Sequence, residues 1–518
     1  MAGPTEDGTQ RPEGLGLAPK FLVGFGTQAA VAAIGIVTVP IYLHLMGPDA
    51  YGLAGFYLTL QGWMVALDLG LTPTLTRQLS RFRAGAVSVG EAAGLLKGGE
   101  FIFGSVALVV AALFVVGSAW IADRWLGKSS LPPNEISLSV KLVGALMAAR
   151  WMAVLYHAAL TGLERQNSLN GILLAATVAR AGVTIGALRF GAPTPVVFFS
   201  AQLALTGLEA LAYRLAFAPI FSDASTSLRD AWRILGVERR FASMLAVAAV
   251  IWVAVNQADK LALSHFLSLE AFGYFSLTVA ICGGIILVGQ PVVQMTLPRL
   301  TALLAEGRRE AFIQLYRLSG SLMIVLALAV AGPIAANPHL VFLAWTGDRQ
   351  TDHLALVLTL YALGTGLSLY QNIPYLLQYA HGTMRLHLIA NIAFALFWIP
   401  SAVLAAKFYG AVGAGATWLI GNAVVMSIWT PIVHHRLLSA EERRRVLDRL
   451  PTRTAAVGVL VGATHFLPTS GLGRIEALAL LALIAGGAAL LGVVIFEDLR
   501  VYLLDTLSKA RAAVARAR

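Results

Sequence analysis

Arg150, Arg180, Glu209 and Arg214 are ionisable residues set inside runs of apolar sequence. Asp68, Asp259 and Lys260 stand near the ends of other such runs. A charge in an apolar interior of membrane depth costs at least about 2.5–3.5 kcal/mol, so each one calls for a partner or a ligand. Neither Arg150 nor Arg180 has a carboxylate within two helical turns on its own stretch. Guanidinium groups stay charged at any relevant pH and match phosphate oxygens two at a time. In one reading Arg150 and Arg180, with Glu209 and Arg214, line a wet cavity that holds an anionic headgroup such as a diphosphate. In the other, an Arg–Glu209 pair fixes helix packing, although one central carboxylate cannot fully pair two arginines. Asp68 reads as a cap or as the partner of an arginine such as Arg77.

Other chemistry is missing. The ten histidines form no His-Glu-x-x-His pattern, and His434-His435 reads as a solvated pair on a basic loop, so no metal is expected. The single cysteine, Cys282, excludes a disulfide scaffold and a cysteine-ligated zinc or iron–sulfur centre, and reads as a small packing residue. The run Gly410-Ala-Val-Gly-Ala-Gly415 lacks a following Lys-Ser/Thr, so it is a helix-packing signal and not a phosphate loop. No cofactor is expected.

The elements that must position these residues follow from composition. Of 518 residues, 58% are hydrophobic and only 13% charged, with mean hydropathy +0.74. That is about half the charge a soluble chain carries, and disorder is excluded with it. A spanning helix needs about 20 mostly apolar residues. Fourteen stretches qualify: 18–43, 51–71, 101–122, 138–160, 169–188, 195–217, 241–258, 273–297, 318–345, 354–377, 388–405, 411–433, 455–467 and 475–496, the thirteenth being short. The net charge of +11 is read by position. Assigning loops alternately puts 27 Lys/Arg on the side of both termini and 7 on the other, so both termini are expected in the cytoplasm. Residues 1–19 read as a polar cytosolic tail and not a signal peptide. Residues 439–450, with Ser439 and Glu442 at capping-box spacing, and 499–518 read as interfacial helices held against anionic membrane lipids.

The chain also repeats itself. Asp49-Ala-Tyr-Gly52 is followed by a helix and then Arg77; Glu270-Ala-Phe-Gly273 is followed by a helix and then Arg299. The glycines are 221 residues apart and the arginines 222, with six expected spans between the copies. An even number keeps both copies facing the same way, a parallel repeat about an axis along the membrane normal. The expected layout is an all-α polytopic membrane protein: a tail (1–17), two six-helix lobes (18–240 and 241–453), an appended helix pair (454–496) and a basic tail (497–518). Asp68, Arg77, Asn256, Asp259, Lys260 and Arg299 are then candidates for gating or for contacts between lobes.

The segments Pro40-Ile-Tyr42 to Ala50-Tyr-Gly-Leu53, Leu67-Asp-Leu-Gly-Leu71, Ala258-Asp-Lys-Leu-Ala-Leu-Ser264, Pro298-Arg-Leu300 and Ile373-Pro-Tyr375 resemble the Wzx-like branch of the multidrug/oligosaccharidyl-lipid/polysaccharide exporter superfamily. The resemblance implies two six-helix lobes around a V-shaped cleft, working by alternating access. It implies movement of undecaprenyl-diphosphate-linked oligosaccharides across the bacterial cytoplasmic membrane, with other polysaccharide assembly proteins as possible partners and no nucleic acid. Two alternatives remain open. A cation-coupled multidrug exporter of the same superfamily is disfavoured because the central charges are arginines and the first span has no acidic residue. A membrane polysaccharide polymerase is disfavoured because the outer loops are short and poor in His.

Overall fold

The computed structural model describes residues 17–68, 70–221, 249–347 and 353–517. In hydrocarbon a spanning backbone satisfies its own polar groups by coiling into helices or closing a barrel. Here the described residues are helical, with no strand among them. In chain order the helices are α1 (Leu17–Met46), α2 (Pro48–Leu67), α3 (Leu71–Arg83), α4 (Val89–Trp120), α5 (Pro133–Gly162), α6 (Gln166–Phe190) and α7 (Pro195–Phe217). Then come α8 (residues 249–266), α9 (Leu269–Ala305), α10 (Arg309–Ala336), α11 (Pro338–Thr346), α12 (Ala355–Ala380) and α13 (Met384–Val424). The last are α14 (Thr430–Leu437), α15 (Ala440–Leu447), α16 (Leu450–Ala463), α17 (Arg474–Ile495) and α18 (Glu497–Ala517).

Nine described segments are long and apolar enough to cross a membrane. One, Met384–Leu437, is two helices joined at Gly410, whose φ of 59° and ψ of −144° suit only glycine. The nine thus account for ten of the expected crossings. Three of the others fall on α2, α12 and α16, which are shorter or more polar, and the fourth, 241–258, lies partly outside the described residues. At 14 residues α16 rises about 21 Å, short of a hydrocarbon core of about 30 Å. Val116, Phe190, Phe397 and Ile475 project outward, an apolar surface suited to lipid and not to water. The chain is a polytopic all-α membrane protein.

The helices cluster into two compact units. The first takes in the described residues of Met1–Gly47, Met64–Arg124 and Leu131–Val247. Its centre is α5, packed on α3, α4 and α7, while α6 lies against α1 and α7. A capping box, Ser88 with Glu91, starts α4 well before its apolar run. The amphipathic α3 is tied to α5 by the Thr76 hydroxyl on the Ala158 carbonyl (3.2 Å) and the Ser80 hydroxyl on the Gly162 carbonyl (3.2 Å).

The second unit comprises Pro48–Trp63, Trp125–Ser130 and the described residues of Ala248–Arg518. Within it the two repeat motifs meet. A Cβ on Gly52 would overlap the Leu269 carbonyl oxygen, and one on Gly273 would overlap the Pro48 carbonyl oxygen and lie 3.0 Å from the Gly52 nitrogen. The missing side chains let α2 and α9 cross backbone to backbone. The short strap 125–130 holds that crossing. Ser129 and Ser130 donate to Asp49 (2.9 and 2.8 Å), the Lys128 carbonyl accepts from the Leu269 amide (2.8 Å), and the Trp125 indole donates to Ser264 (3.0 Å). Elsewhere in this unit Ser439 and Glu442 form the expected capping box of α15. Glu442 also takes a bidentate pair from Arg309 of α10 (2.6 and 2.9 Å). That guanidinium holds the Glu442 carboxyl down to about 2.

Candidate functional site

In the first unit α5, α6 and α7 each bring one ionisable residue from near mid-helix to a common point. Arg150 donates through Nη1 to Glu209 Oε2 at 3.2 Å, and Arg180 donates through Nη1 to the same oxygen. The other oxygen, Oε1, accepts from the Tyr213 hydroxyl at 3.2 Å, and Thr177 Oγ1 accepts from Arg180 Nη2 at 3.4 Å. Glu209 is all but sealed, with 2% of its side chain exposed, against 11% for Arg180 and 23% for Arg150. Arg150 is therefore the member with the most open access. Among the described residues two guanidinium groups meet one carboxylate here, an excess of one positive charge. In a low-dielectric surrounding that excess attracts an anion far more strongly than in water.

Of the two arrangements weighed from the sequence, the pairing is the one in view: Glu209 pairs with both arginines. Arg214 is separate. It donates through Nε to Glu100 of α4 at 2.6 Å and lies over the Phe217 ring at 5.3 Å. Tyr213 was missed, although its i+4 spacing from Glu209 on a helix is a readable signal.

The remaining candidates fall elsewhere. Asp68 accepts from the Thr72 amide (3.2 Å) and from its hydroxyl, and so satisfies one free amide in the first turn of α3. Arg77 is exposed on α3 and Arg299 on α9. Inside the second unit Asp259 is fully buried on α8 and accepts from the Tyr361 hydroxyl (2.6 Å) and from Lys260 (3.2 Å). The Lys260 ammonium also donates to the Asn256 carbonyl (2.6 Å) and lies 5.9 Å from the Trp418 ring centroid. The Asn256 amide is turned back to Trp252 (2.8 Å). Cys282 is buried on α9.

The solvated His434-His435 pair requires correction. Both histidines belong to α14, and His434 is buried with Nε2 2.8 Å from the Tyr316 hydroxyl. Only His435 is exposed. The pitch of α14 turns one imidazole inward, which pattern alone cannot assign. Among the described residues no group of His, Cys, Asp and Glu could hold a metal ion.

No protein-family model matches the sequence, and no curated protein does. Solved structures do match. The lipid II flippase MurJ in an inward closed conformation superposes with a TM-score of 0.69 at 11% identity, over 93% of this chain and 99% of that one. An inward-facing multidrug resistance MATE family transporter of the MOP superfamily gives 0.62 at 16% identity, over 78% and 95%. The MATE multidrug transporter DinF-BH gives 0.51 at 14% identity, over 84% and 98%. With its all-α, multi-span build, the chain has the fold of transporters of the MOP superfamily.

Proposed function

We propose that this protein flips an anionic, polyprenyl-diphosphate-linked oligosaccharide across the bacterial cytoplasmic membrane by alternating access. The observation that carries the reading is the convergence of two guanidinium groups, Arg150 and Arg180, on the one carboxylate of Glu209. A diphosphate supplies the missing negative charge and accepts the paired donors of a guanidinium. Arg150, the most open of the three, makes first contact, and Arg180 is held in line by Glu209 and Thr177. In this reading the protein is a transporter and not an enzyme. The fold shared with a lipid II flippase supports a large lipid-linked substrate.

The same fold is shared with multidrug exporters, so cationic drug export is the competing reading. Charge decides between them, because an excess guanidinium repels a cation. Equilibrium binding to purified protein tests this with three probes: a polyprenyl diphosphate, the neutral polyprenol and a lipophilic cationic dye. Saturable binding of the diphosphate that is lost in Arg150→Ala/Arg180→Ala is the expected result. Binding of the dye alone would refute the proposal.

A further inference from the structure

Arg214 stands apart from the central cluster, and its surroundings form a site of their own. Between the first turns of α4 and the last turn of α7 lies a cavity of about 400 Å³. Leu96, Phe217 and Phe221 give it an apolar wall, and Lys97, Glu100 and Arg214 give it a polar rim. Lys97 is exposed, with no carboxylate at ion-pair distance among the described residues. Glu100 offsets one of the two cations through the 2.6 Å bond to Arg214, which leaves a net charge of +1 among the described residues. The surface around the cavity is apolar. Phe101, one turn from Lys97 on α4, is exposed, as are Leu208, Leu211 and Leu215 beside Arg214 on α7. Exposed apolar side chains on membrane-spanning helices meet acyl chains, and cations near span ends reach for headgroup phosphates.

We infer that this cavity binds the phosphodiester headgroup of an anionic glycerophospholipid, with the acyl chains lying along Leu211 and Leu208. The charge count selects the headgroup. One excess positive charge matches the single negative charge of a phosphodiester, while Glu100 opposes the second charge of a phosphomonoester. The apolar wall and the apolar surface around it favour a lipid over a soluble phosphate. The site shares α7 with the Arg150/Arg180/Glu209 cluster but none of its residues, so either can fail without the other.

The test uses the full-length protein in nanodiscs of mixed phosphatidylglycerol and phosphatidylcholine. Lipids retained after extraction are counted by native mass spectrometry. Wild type should retain phosphatidylglycerol in preference to phosphatidylcholine. Lys97→Gln and Arg214→Gln should each reduce that preference about fivefold, the worth of one cation at a membrane surface. Arg83→Gln, which removes a cation of α3 paired with Glu164, should leave it unchanged. Lys97 has an exposed side chain, so its variant keeps the test valid even if Arg214→Gln fails to fold. Unchanged preference in Lys97→Gln would overturn the assignment. So would displacement of the lipid by inorganic phosphate, which would mark a site for soluble anions.

Discussion

Glu209 accepts from Arg150, Arg180 and Tyr213 at once, and that sharing sets how each substitution should behave. Glu209→Gln leaves two guanidinium groups facing each other out of water. Breaking such a buried arrangement costs about 3–5 kcal/mol, so a marked fall in thermal midpoint and in membrane abundance is expected. Arg150→Ala removes the more open arginine and relieves the excess charge, so its stability should stay closer to wild type while diphosphate binding is lost. Thermal unfolding in detergent, set beside binding, separates the two. A second residue-scale prediction concerns Glu442. Its carboxyl is held at about 2, against an ordinary value of 4.5, chiefly by the bond from Arg309. A depressed folded-state value means stability that is fully present above about 4.5 and lost as the pH falls from there toward 2. Arg309→Ala should flatten the dependence of the unfolding midpoint over that window, and an unchanged slope would show that the pair contributes nothing. Arg150, Arg180 and Glu209 were legible in sequence because charges in apolar runs stand out. The burial of His434 was not, because it depends on Tyr316, 118 residues away.

At the scale of elements, the crossing of α2 and α9 turns a sequence repeat into a packing constraint. The glycines that mark the two copies are the residues through which the copies touch. Gly52→Val and Gly273→Val force carbon against carbonyl oxygen and should each cost about 1–3 kcal/mol from overpacking. Gly283→Ala, also on α9 but with open space around it, should instead stabilise by up to about 1 kcal/mol, since glycine is a poor helix former. Thermal unfolding of the three variants checks this, and equal effects at Gly273 and Gly283 would refute a close crossing. The long apolar helices were legible from length and hydropathy alone. The amphipathic α3 was not, because its 13 residues carry Arg77, Arg81 and Arg83 and read as a basic loop. The strap 125–130 was equally hidden, since its bonds go to residues 80 to 141 positions away.

For the whole molecule, the bias of basic residues sets an orientation that labelling can test. With Cys282 replaced by Ala, single cysteines at Arg83, Arg308 and Arg445 should react only from the cytoplasmic side. Cysteines at Ser129 and Thr469 should react only from outside. The corresponding expectations for Arg233 and Arg349 fall on residues outside those described. Labelling of Thr469 from the cytoplasm would mean that α16, only 14 residues long, turns back without crossing. The proposed function rests on Arg150 and Arg180 in the first unit, and transport tests it most directly. Proteoliposomes holding matched amounts of wild type or Arg150→Ala/Arg180→Ala are loaded with a fluorescent polyprenyl-diphosphate-linked sugar, and its movement between leaflets is timed. Losing charge-assisted bonds worth about 1.5–3 kcal/mol should slow the double variant by about tenfold or more. Flipping at the wild-type rate by the double variant would show that the arginines do not carry the substrate.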